Sequence, residues 1–383
     1  MKHWLPFLFL ITAYSVSAQT FIDTVFYENN VTPKTIAELK IVHGETIRHG
    51  SFKYYFPSGA LSQMGYYSEN QPDSIWTIYK QSGQVQEISE YKKGVKNGDF
   101  AIYYPNGNLK QVGRWKEGKL EGELTTYYPN GAVLEKTHYQ TGKLTGQAIG
   151  YTEDGKLRFE RNYLDNEING INNEYFSTGT PKIESTQRNG QFDGEYREYF
   201  ENGNLQKSFN YKNGIIDGNY KTYYNNEQLK SEVSYTDGKM SGPYTAYYPQ
   251  GSVKEESNYN DDQKSGKSTM YYNDGAVYIS GKYANGKFSG LWKIYYPNGK
   301  LKQKGKYTNG QAEGKWSFYH ENGALNKSGK YRNDSETGIW KHYFPNKQPK
   351  MIVSYNDGKV ARILEAYDEK GSAVDPSTIK LDQ

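Results

Sequence analysis

The six histidines are the side chains best suited to acid–base or metal chemistry, but their spacing supports neither. They are His3, His43, His49, His138, His320 and His342. No pair has the separation of a zinc or catalytic motif. Asp261 and Asp262 could attract calcium, yet no further oxygen ligands follow at a useful spacing. We therefore expect no catalytic residue, no cofactor and no metal site, and we expect that the chain is not an enzyme.

The glycines form no phosphate-binding loop, because none of them leads into a Lys-Ser or Lys-Thr pair and a helix. Instead they recur with a period of 24 residues, without insertion or deletion, from Gly50 to about Ala373. We number the positions of each unit from 1, beginning at Gly50. Positions 1 and 10 hold glycine in most units, which predicts two turns in each unit.

The residue types at position 21 indicate a particular backbone conformation more clearly than those at positions 1 and 10. It holds glycine in most units, and the exceptions are Asn70, Asn166, Asp262 and Asp334. Glycine, asparagine and aspartate are the residues that best tolerate a positive φ. The pattern therefore predicts a left-handed residue in a tight connection.

Short segments rich in aromatic and β-branched residues separate the turns, as expected of strands. Position 18 is aromatic in almost every unit and lies six residues after a frequent leucine at position 12, so both point to one face of a strand. Position 6 is always tyrosine. These tyrosines are predicted to form a structural ladder: Tyr55, Tyr79, Tyr103, Tyr127, Tyr151, Tyr175, Tyr199, Tyr223, Tyr247, Tyr271, Tyr295, Tyr319, Tyr343 and Tyr367.

These patterns predict an all-β fold: an elongated tandem array of 24-residue β-hairpin repeats that forms a twisted antiparallel meander sheet. About fourteen repeats would occupy residues 50–373. Residues 19–49 would be an N-terminal cap with a possible degenerate half-repeat from Ile36 to His49, since linear arrays need capped ends. Residues 374–383 would be a C-terminal tail.

Residues 1–18 have the composition of a signal peptide. Lys2 and His3 precede an apolar run, and Val16-Ser17-Ala18 precedes Gln19, which predicts cleavage after Ala18. The chain has no cysteine, so disulfides and lipid attachment through sulfur are excluded. We expect export to the periplasm or beyond the cell.

Tyrosines at position 7 are the candidate partner-contact residues, because exposed rings can stack on sugars or contact a partner's apolar groups. The candidates are Tyr104, Tyr128, Tyr248, Tyr272 and Tyr296. The net charge is only +4, from 47 basic and 43 acidic residues spread along the chain. No basic block of the kind that follows nucleic acid is visible, so we exclude nucleic acid and regard a lipid surface as less favoured than protein or glycan.

The recurring Tyr-Tyr-Pro-Asn-Gly, x-Leu, x-Gly-x-Tyr, x-x-Gly-Lys and x-x-Gly-x-Trp string resembles the MORN repeat variant of bacterial proteins, over about residues 50–373. The resemblance implies an interaction role. Bacterial members are often labelled as antitoxin components of toxin–antitoxin systems, whereas eukaryotic relatives are associated with membrane lipids and scaffolding. The signal peptide departs from the antitoxin role, since an exported chain would not restrain a cytoplasmic toxin.

The sequence favours a non-enzymatic exported protein that acts as a protein-binding or scaffolding surface at the cell envelope. The first alternative is a glycan-binding envelope protein, suggested by the aromatic array. The second is the antitoxin-like component that the family label implies.

Overall fold

The computed structural model describes residues 19–379, and the predicted signal peptide at 1–18 lies outside the described residues. These residues form β-strands and one short 3-10 turn, Pro376–Thr378. No helix in this range is long and apolar enough to cross a membrane. The chain divides between Ile168 and Asn169 into two compact units, here called the first and second units.

The strands of the first unit are β1 (Thr20–Phe26), β2 (Pro33–Val42), β3 (Glu45–Tyr55), β4 (Leu61–Ser68), β5 (Gln71–Tyr79), β6 (Val85–Lys92), β7 (Val95–Tyr103), β8 (Leu109–Lys116), β9 (Lys119–Leu120), β10 (Gly122–Tyr127), β11 (Val133–Gln140), β12 (Lys143–Leu144), β13 (Gly146–Tyr151) and β14 (Leu157–Leu164). The next strand, β15 (Glu167–Tyr175), contains the division. Those of the second unit are β16 (Pro181–Arg188), β17 (Gln191–Tyr199), β18 (Leu205–Lys212), β19 (Ile215–Ile216), β20 (Gly218–Tyr223), β21 (Leu229–Thr236), β22 (Lys239–Tyr247), β23 (Val253–Asn260), β24 (Gln263–Lys264), β25 (Gly266–Tyr271), β26 (Val277–Ala284), β27 (Lys287–Tyr295), β28 (Leu301–Thr308), β29 (Gln311–Tyr319), β30 (Leu325–Arg332), β31 (Ser335–Tyr343), β32 (Pro349–Asn356) and β33 (Lys359–Ala366).

Within each unit, every long strand pairs antiparallel with the long strands before and after it, which confirms the predicted all-β array of tandem hairpins. The two-residue strands β9, β12, β19 and β24 extend the ladders of β8, β11, β18 and β23. Within one repeat, position 1 pairs with position 18 and position 4 with position 15, as Gly290 with Tyr307 and Lys293 with Lys304. Between repeats, position 15 of one repeat pairs with position 4 of the next, as Lys304 with Ser317. Repetition of this register explains why the sequence period has no insertions.

The predicted left-handed residue at position 21 is confirmed. The four exceptions to glycine all have positive φ: Asn70 at 65°, Asn166 at 76°, and Asp262 and Asp334 at 64°. Position 20 is also left-handed, as in Asn309 at 50° before Gly310 at 88°. Positive φ at both central residues of a two-residue loop is the pattern of a type I′ turn, whose twist matches the flanking strands.

Position 10 lies in the second turn, where Gly299 N–H donates to Tyr296 C=O at 2.9 Å. The prediction of a turn at position 1 is wrong, because this position lies inside a strand, as Gly314 in β29, or is its first residue, as Gly122 in β10. Around Gly314, the pairing with the preceding strand shifts between Lys304 and Lys306, and Gly314 has a φ of 69°. A glycine with positive φ at such a shift forms a β-bulge, which bends the strand without reversing it.

Aromatic rings cover one face of the hairpins. The rings at position 3 are the most buried, with Trp292 and Trp316 at 4% exposure and Trp340 at 0%. Each contacts two position-18 rings, one from the preceding repeat and one from its own. The Trp316 ring lies 5.5 Å from Tyr331, and Tyr331 lies 5.2 Å from Trp340, edge to face in both cases. Such contacts stabilise the fold beyond simple area burial.

The position-3 ring rests on position 16 of the preceding repeat, where a large side chain would collide with it. Gly329 lies beneath Trp340, and a Cβ added to Gly329 would overlap the indole ring. The same holds for Gly305 beneath Trp316. Where the ring is smaller the gap is partly filled, as with Ser89 opposite Phe100. At the tryptophan junctions the sizes at these two positions are therefore complementary, whereas Phe209 and Tyr220 form a pair of large rings stacked at 4.8 Å.

The N-terminal segment contains a hairpin of its own, β1 with β2. Strand β2 then pairs with β3 with a shift between Ala37 and Leu39, opposite Gly50, the same place as in the repeats. Its first strand exposes Phe21 at 39% and Ile22 at 71%. The capping role of residues 19–49 stays a prediction.

We expect Gly329→Ser to lower the free energy of unfolding by about 1–3 kcal/mol, the usual cost of overpacking a filled site. Combining it with Trp340→Phe recreates the pairing of Ser89 with Phe100, so the two losses should not add. Denaturant unfolding of the two single variants and the double variant measures this coupling. Strict additivity would contradict the proposed complementarity.

Candidate interaction surface

Each hairpin presents two faces with different chemistry. The aromatic face carries positions 3, 16 and 18. The opposite face, here called the polar face, carries positions 2, 4, 15 and 17, because side chains alternate along a strand. Cross-strand ion pairs lie on both faces, as between Arg114 and Asp99 at 3.2 Å on the polar face and between Lys96 and Glu87 at 2.7 Å on the aromatic face. Because the largest rings of the aromatic face are buried against one another, the side chains best placed to recognise a partner lie on the polar face or along the turns.

The position-7 tyrosines, predicted to contact a partner, are half-buried at the turns. Their hydroxyls donate to the position-6 carbonyl of the following repeat, with Tyr296 to Tyr319 C=O at 2.8 Å as one example. Lys302 lies over the Tyr296 ring at 5.5 Å. The same hydroxyl bond is made by Tyr104, Tyr128, Tyr248 and Tyr272. These side chains join neighbouring repeats, and their role in partner contact stays a prediction.

The position-6 tyrosines direct their hydroxyls toward position 15 of the preceding repeat. Tyr247 donates to Glu232 at 3.0 Å and Tyr271 to Glu256 at 2.6 Å. The hydrogen bond to Glu256, together with burial, raises the pKa of Tyr271 to about 12. The ring contacts described above run through positions 3 and 18. Position 3 is not predictable from the sequence because its residue varies widely, whereas position 6 is invariant.

Hydrogen bonds along both rows of turns connect each repeat to the next. At position 9, Asn322 Nδ2 donates to Pro345 C=O at 2.8 Å. At position 21, Gly310 N–H donates to Phe288 C=O of the preceding repeat at 2.9 Å. Where position 21 is not glycine, its side chain adds a bond, as Asp262 Oδ1 accepts from Met240 N–H at 2.8 Å. Asp262 therefore stabilises a turn. Residues 19–379 contain no group of three His, Cys, Asp or Glu side chains that could hold a metal ion.

A groove of about 500 Å³ opens on the polar face of the first unit. Ile88, Ala101 and Val112 form its floor, and Ile75, at 57% exposure, stands at one end. Its charged lining residues are Glu90, Asp99, Arg114 and Glu123. The groove thus combines an apolar floor with a rim of three carboxylates and one guanidinium.

Two of the rim carboxylates have partners within the sheet. Asp99 pairs with Arg114, and Glu123 lies 3.6 Å from Lys136 and accepts from Thr125 Oγ1 at 2.9 Å. The groove is not predicted from the sequence because its residues come from several strands. The signal that could have found it is a run of apolar residues at positions 4 and 15, which elsewhere are mostly polar.

Ten stretches of the chain match the MORN repeat variant family, and together they cover more than half of it. They are residues 48–69, 96–117, 120–141, 144–165, 192–213, 216–237, 240–261, 288–309, 312–333 and 336–357. This chain belongs to the MORN repeat variant family. Nine of the ten MORN matches begin two residues after a type I′ turn, and the first begins four residues after the turn at His43 and Gly44. All ten end in the next such turn, so each contains one complete hairpin.

No curated protein matches this MORN repeat chain. Solved structures that match include a TcdB2-TccC3 structure, a TcdB2-TccC3-Cdc42 structure and a Photorhabdus luminescens Tc holotoxin pore, all at 12% identity. The alignments cover 89% of this chain but only 20%, 23% and 24% of those chains, with TM-scores of 0.17, 0.15 and 0.16. The chain therefore spans less than a quarter of their length.

Two histidines occupy MORN positions that other repeats fill differently. His320 replaces the position-7 tyrosine and its Nε2 lies 3.0 Å from Tyr343 C=O. His342 at position 5 is largely buried, and its Nε2 has no hydrogen-bond partner. Burial, with a smaller contribution from Lys327, lowers the pKa of His342 to about 4. The neutral imidazole is therefore the form that the fold accommodates.

We expect His342 to make the protein less stable in acid. A histidine with a pKa of about 4 in the folded chain and 6.5 when unfolded leaves stability intact above pH 6.5 and reduces it as pH falls toward 4. His342→Ile introduces the residue found at this position in Ile78, Ile102 and Ile294. The denaturation midpoint of the variant, followed against pH, should fall less over this window. Parallel profiles would contradict the assignment.

Proposed function

We propose that this MORN repeat protein is a non-enzymatic, exported protein-binding or scaffolding surface at the cell envelope. The observation that carries the proposal is the groove of the first unit. Protein interfaces combine an apolar centre with a polar rim, and the groove has both. Its partner is a protein segment that places an apolar side chain on the floor and a basic residue near the carboxylates.

The apolar floor is not required by the fold. At position 15, where the groove has Ile88 and Val112, other repeats have Lys136, Glu232 and Lys304 in the same strand register. Since the same strand register forms with charged residues there, the fold does not require the apolar residues of the groove, and we attribute these residues to binding. Exposed apolar groups that stability does not require mark interaction sites.

The charges of the rim support a basic partner. Arg114 is already paired with Asp99, so the three carboxylates outweigh the basic charge that lines the groove. Complementary charge chiefly gives specificity and faster association, while the apolar centre gives affinity. A neutral or acidic segment would lack the specificity and faster association that complementary charge provides.

Binding should depend on the floor of the groove. Ala101→Lys places at position 4 the residue that Lys53 and Lys221 have there, so the fold is kept while the floor gains a charge. We expect a loss of about 2 kcal/mol or more in partner affinity, as for a residue at the centre of an interface. Thr245→Lys, also at position 4 but in the second unit, is the control and should bind normally.

A photo-crosslinker at Ile75, used with envelope extract, identifies the partner, and the same crosslinker at Ile339 is its matched control at position 2. Both side chains are exposed, at 57% and 47%. Labelling at Ile75 that Ala101→Lys abolishes supports the groove. Equal labelling at both sites, or no effect of Ala101→Lys, would sink the proposal.

Export is proposed from the composition of residues 2–18. N-terminal sequencing of the protein from the envelope or the medium should begin at Gln19. Ala18→Glu should block cleavage, since the site needs a small residue, and leave a chain of higher mass. Recovery of the uncleaved native chain from the cytoplasm would refute export and favour an antitoxin-like role.

A further inference from the structure

Lysines dominate the polar face of the second unit between residues 267 and 341. The fourteen residues at positions 2, 4, 15 and 17 in this range include eight lysines and no acidic residue. Six of the eight are exposed, and Lys293 and Lys304 are half-buried. This lysine array consists of Lys267, Lys282, Lys293, Lys304, Lys306, Lys315, Lys330 and Lys341.

The array is specific to these repeats. From residue 171 to residue 258, the same four positions hold four glutamates and only two basic residues, Arg197 and Lys221. Both basic residues are compensated, since Arg197 lies 2.8 Å from Glu195 and Lys221 lies 3.7 Å from Glu232. The hairpin therefore has no general need for lysine on this face.

Several lysines of the array lie directly opposite one another. Strand register pairs Lys267 with Lys282, Lys293 with Lys304, and Lys315 with Lys330. Like charges at directly opposite positions destabilise a sheet. In residues 19–379 none of the eight forms an ion pair with an acidic side chain. The arrangement thus opposes stability, which is typical of functional sites.

One carboxylate is in register with the array but is engaged elsewhere. Glu313 lies opposite Lys306, and its Oε1 accepts from Asn333 N–H at 2.9 Å. That bond holds it at the adjoining turn. The positive field of the array is consequently available to an external anion.

A cavity of about 410 Å³ lies within the array. Lys304 and Lys315 line it together with Tyr319, Ser317 and Ser328. Volumes of this order accommodate small ligands. An aromatic ring, two hydroxyls and two ammonium groups are what a sugar ring bearing an acidic group requires: a surface for its apolar face, hydrogen-bond partners and a counter-charge.

We propose that the lysine array binds a linear acidic polysaccharide, which crosses the strands and places an acidic sugar in the cavity. Lysines recur at position 17 in Lys282, Lys306 and Lys330, one in every second strand, so their spacing along the sheet is about 10 Å. This row suits a polymer whose charges are separated by one or two sugar units. A duplex with a charge every ~1.7 Å along its axis is a poorer match.

The test measures binding of oligogalacturonate, with neutral malto-oligosaccharide as the uncharged comparison, by calorimetry on the full chain. The array variant combines Lys304→Ser, Lys315→Asn and Lys330→Asn, residues found at the same positions in Ser328, Asn219 and Asn258. We expect binding of oligogalacturonate alone, weakened by about tenfold or more in the array variant and by added salt in the native chain.

The control variant combines Lys92→Asn, Lys116→Asn and Lys212→Asn. These exposed lysines are at position 19, where Asn260 and Asn356 show that asparagine is accepted. Like the array variant, the control replaces three lysines by neutral residues, so the net charge changes by the same amount. The control should bind like the native chain. Failure of the native chain to bind oligogalacturonate, or equal loss in both variants, would overturn the proposal.

Stability provides a readout independent of any ligand. Because Lys330→Asn and Lys304→Ser each remove one member of an opposed pair, the array variant should melt at a higher temperature than the native chain at low salt, and the difference should shrink in high salt. A lower melting temperature would contradict the inferred repulsion. Tighter array-dependent binding of single-stranded DNA or of phosphatidylserine vesicles than of oligogalacturonate would assign the array to that polyanion instead.

Discussion

The structure depends on the packing of a large side chain at position 3 against a glycine, which has no side chain, at position 16 of the preceding repeat. At five junctions within residues 19–379, the residue at position 3 packs on a glycine at position 16 of the preceding repeat, and Trp340 on Gly329 is the most buried example. A sheet without a second layer has few ways to exclude water from apolar groups. Recessing the ring into the space over a glycine achieves this, while the position-18 tyrosines enclose its edges. Each repeat thereby completes the core of its neighbour.

This packing confines the demands of folding to one face. The aromatic face must keep its sizes matched at the tryptophan junctions, whereas the polar face tolerates lysine, glutamate, serine or isoleucine in the same register. The tolerance allows local specialisation: an apolar groove with an acidic rim in the first unit and a lysine array in the second. One repeated scaffold can therefore present surfaces of opposite chemistry.

The fold is largely predictable from the sequence, because turn geometry restricts the residue types at single positions. Asn70 and Asp334 in place of glycine are enough to indicate the left-handed residue at position 21. The β-bulge at position 1 is not predictable from glycine alone, since a glycine with positive φ serves equally in a turn. The bulge also shifts the pairing between strands, so the face of each side chain cannot be counted from the sequence. Position 3 escapes prediction because its residue type varies, and the groove and the lysine array escape it because their residues come from several strands.

The hydrogen bonds between successive turns within each row constrain how such a chain changes over time. Asn322, Gly310 and the position-7 tyrosines each bond to a group displaced by about one period. Loss or gain of a few residues would misalign every later donor and acceptor. Removal or duplication of a whole 24-residue segment would leave each of them with an equivalent partner. Recombination in such whole segments can therefore lengthen or shorten the protein while its internal order is preserved, and it can carry a specialised surface from one place in the chain to another.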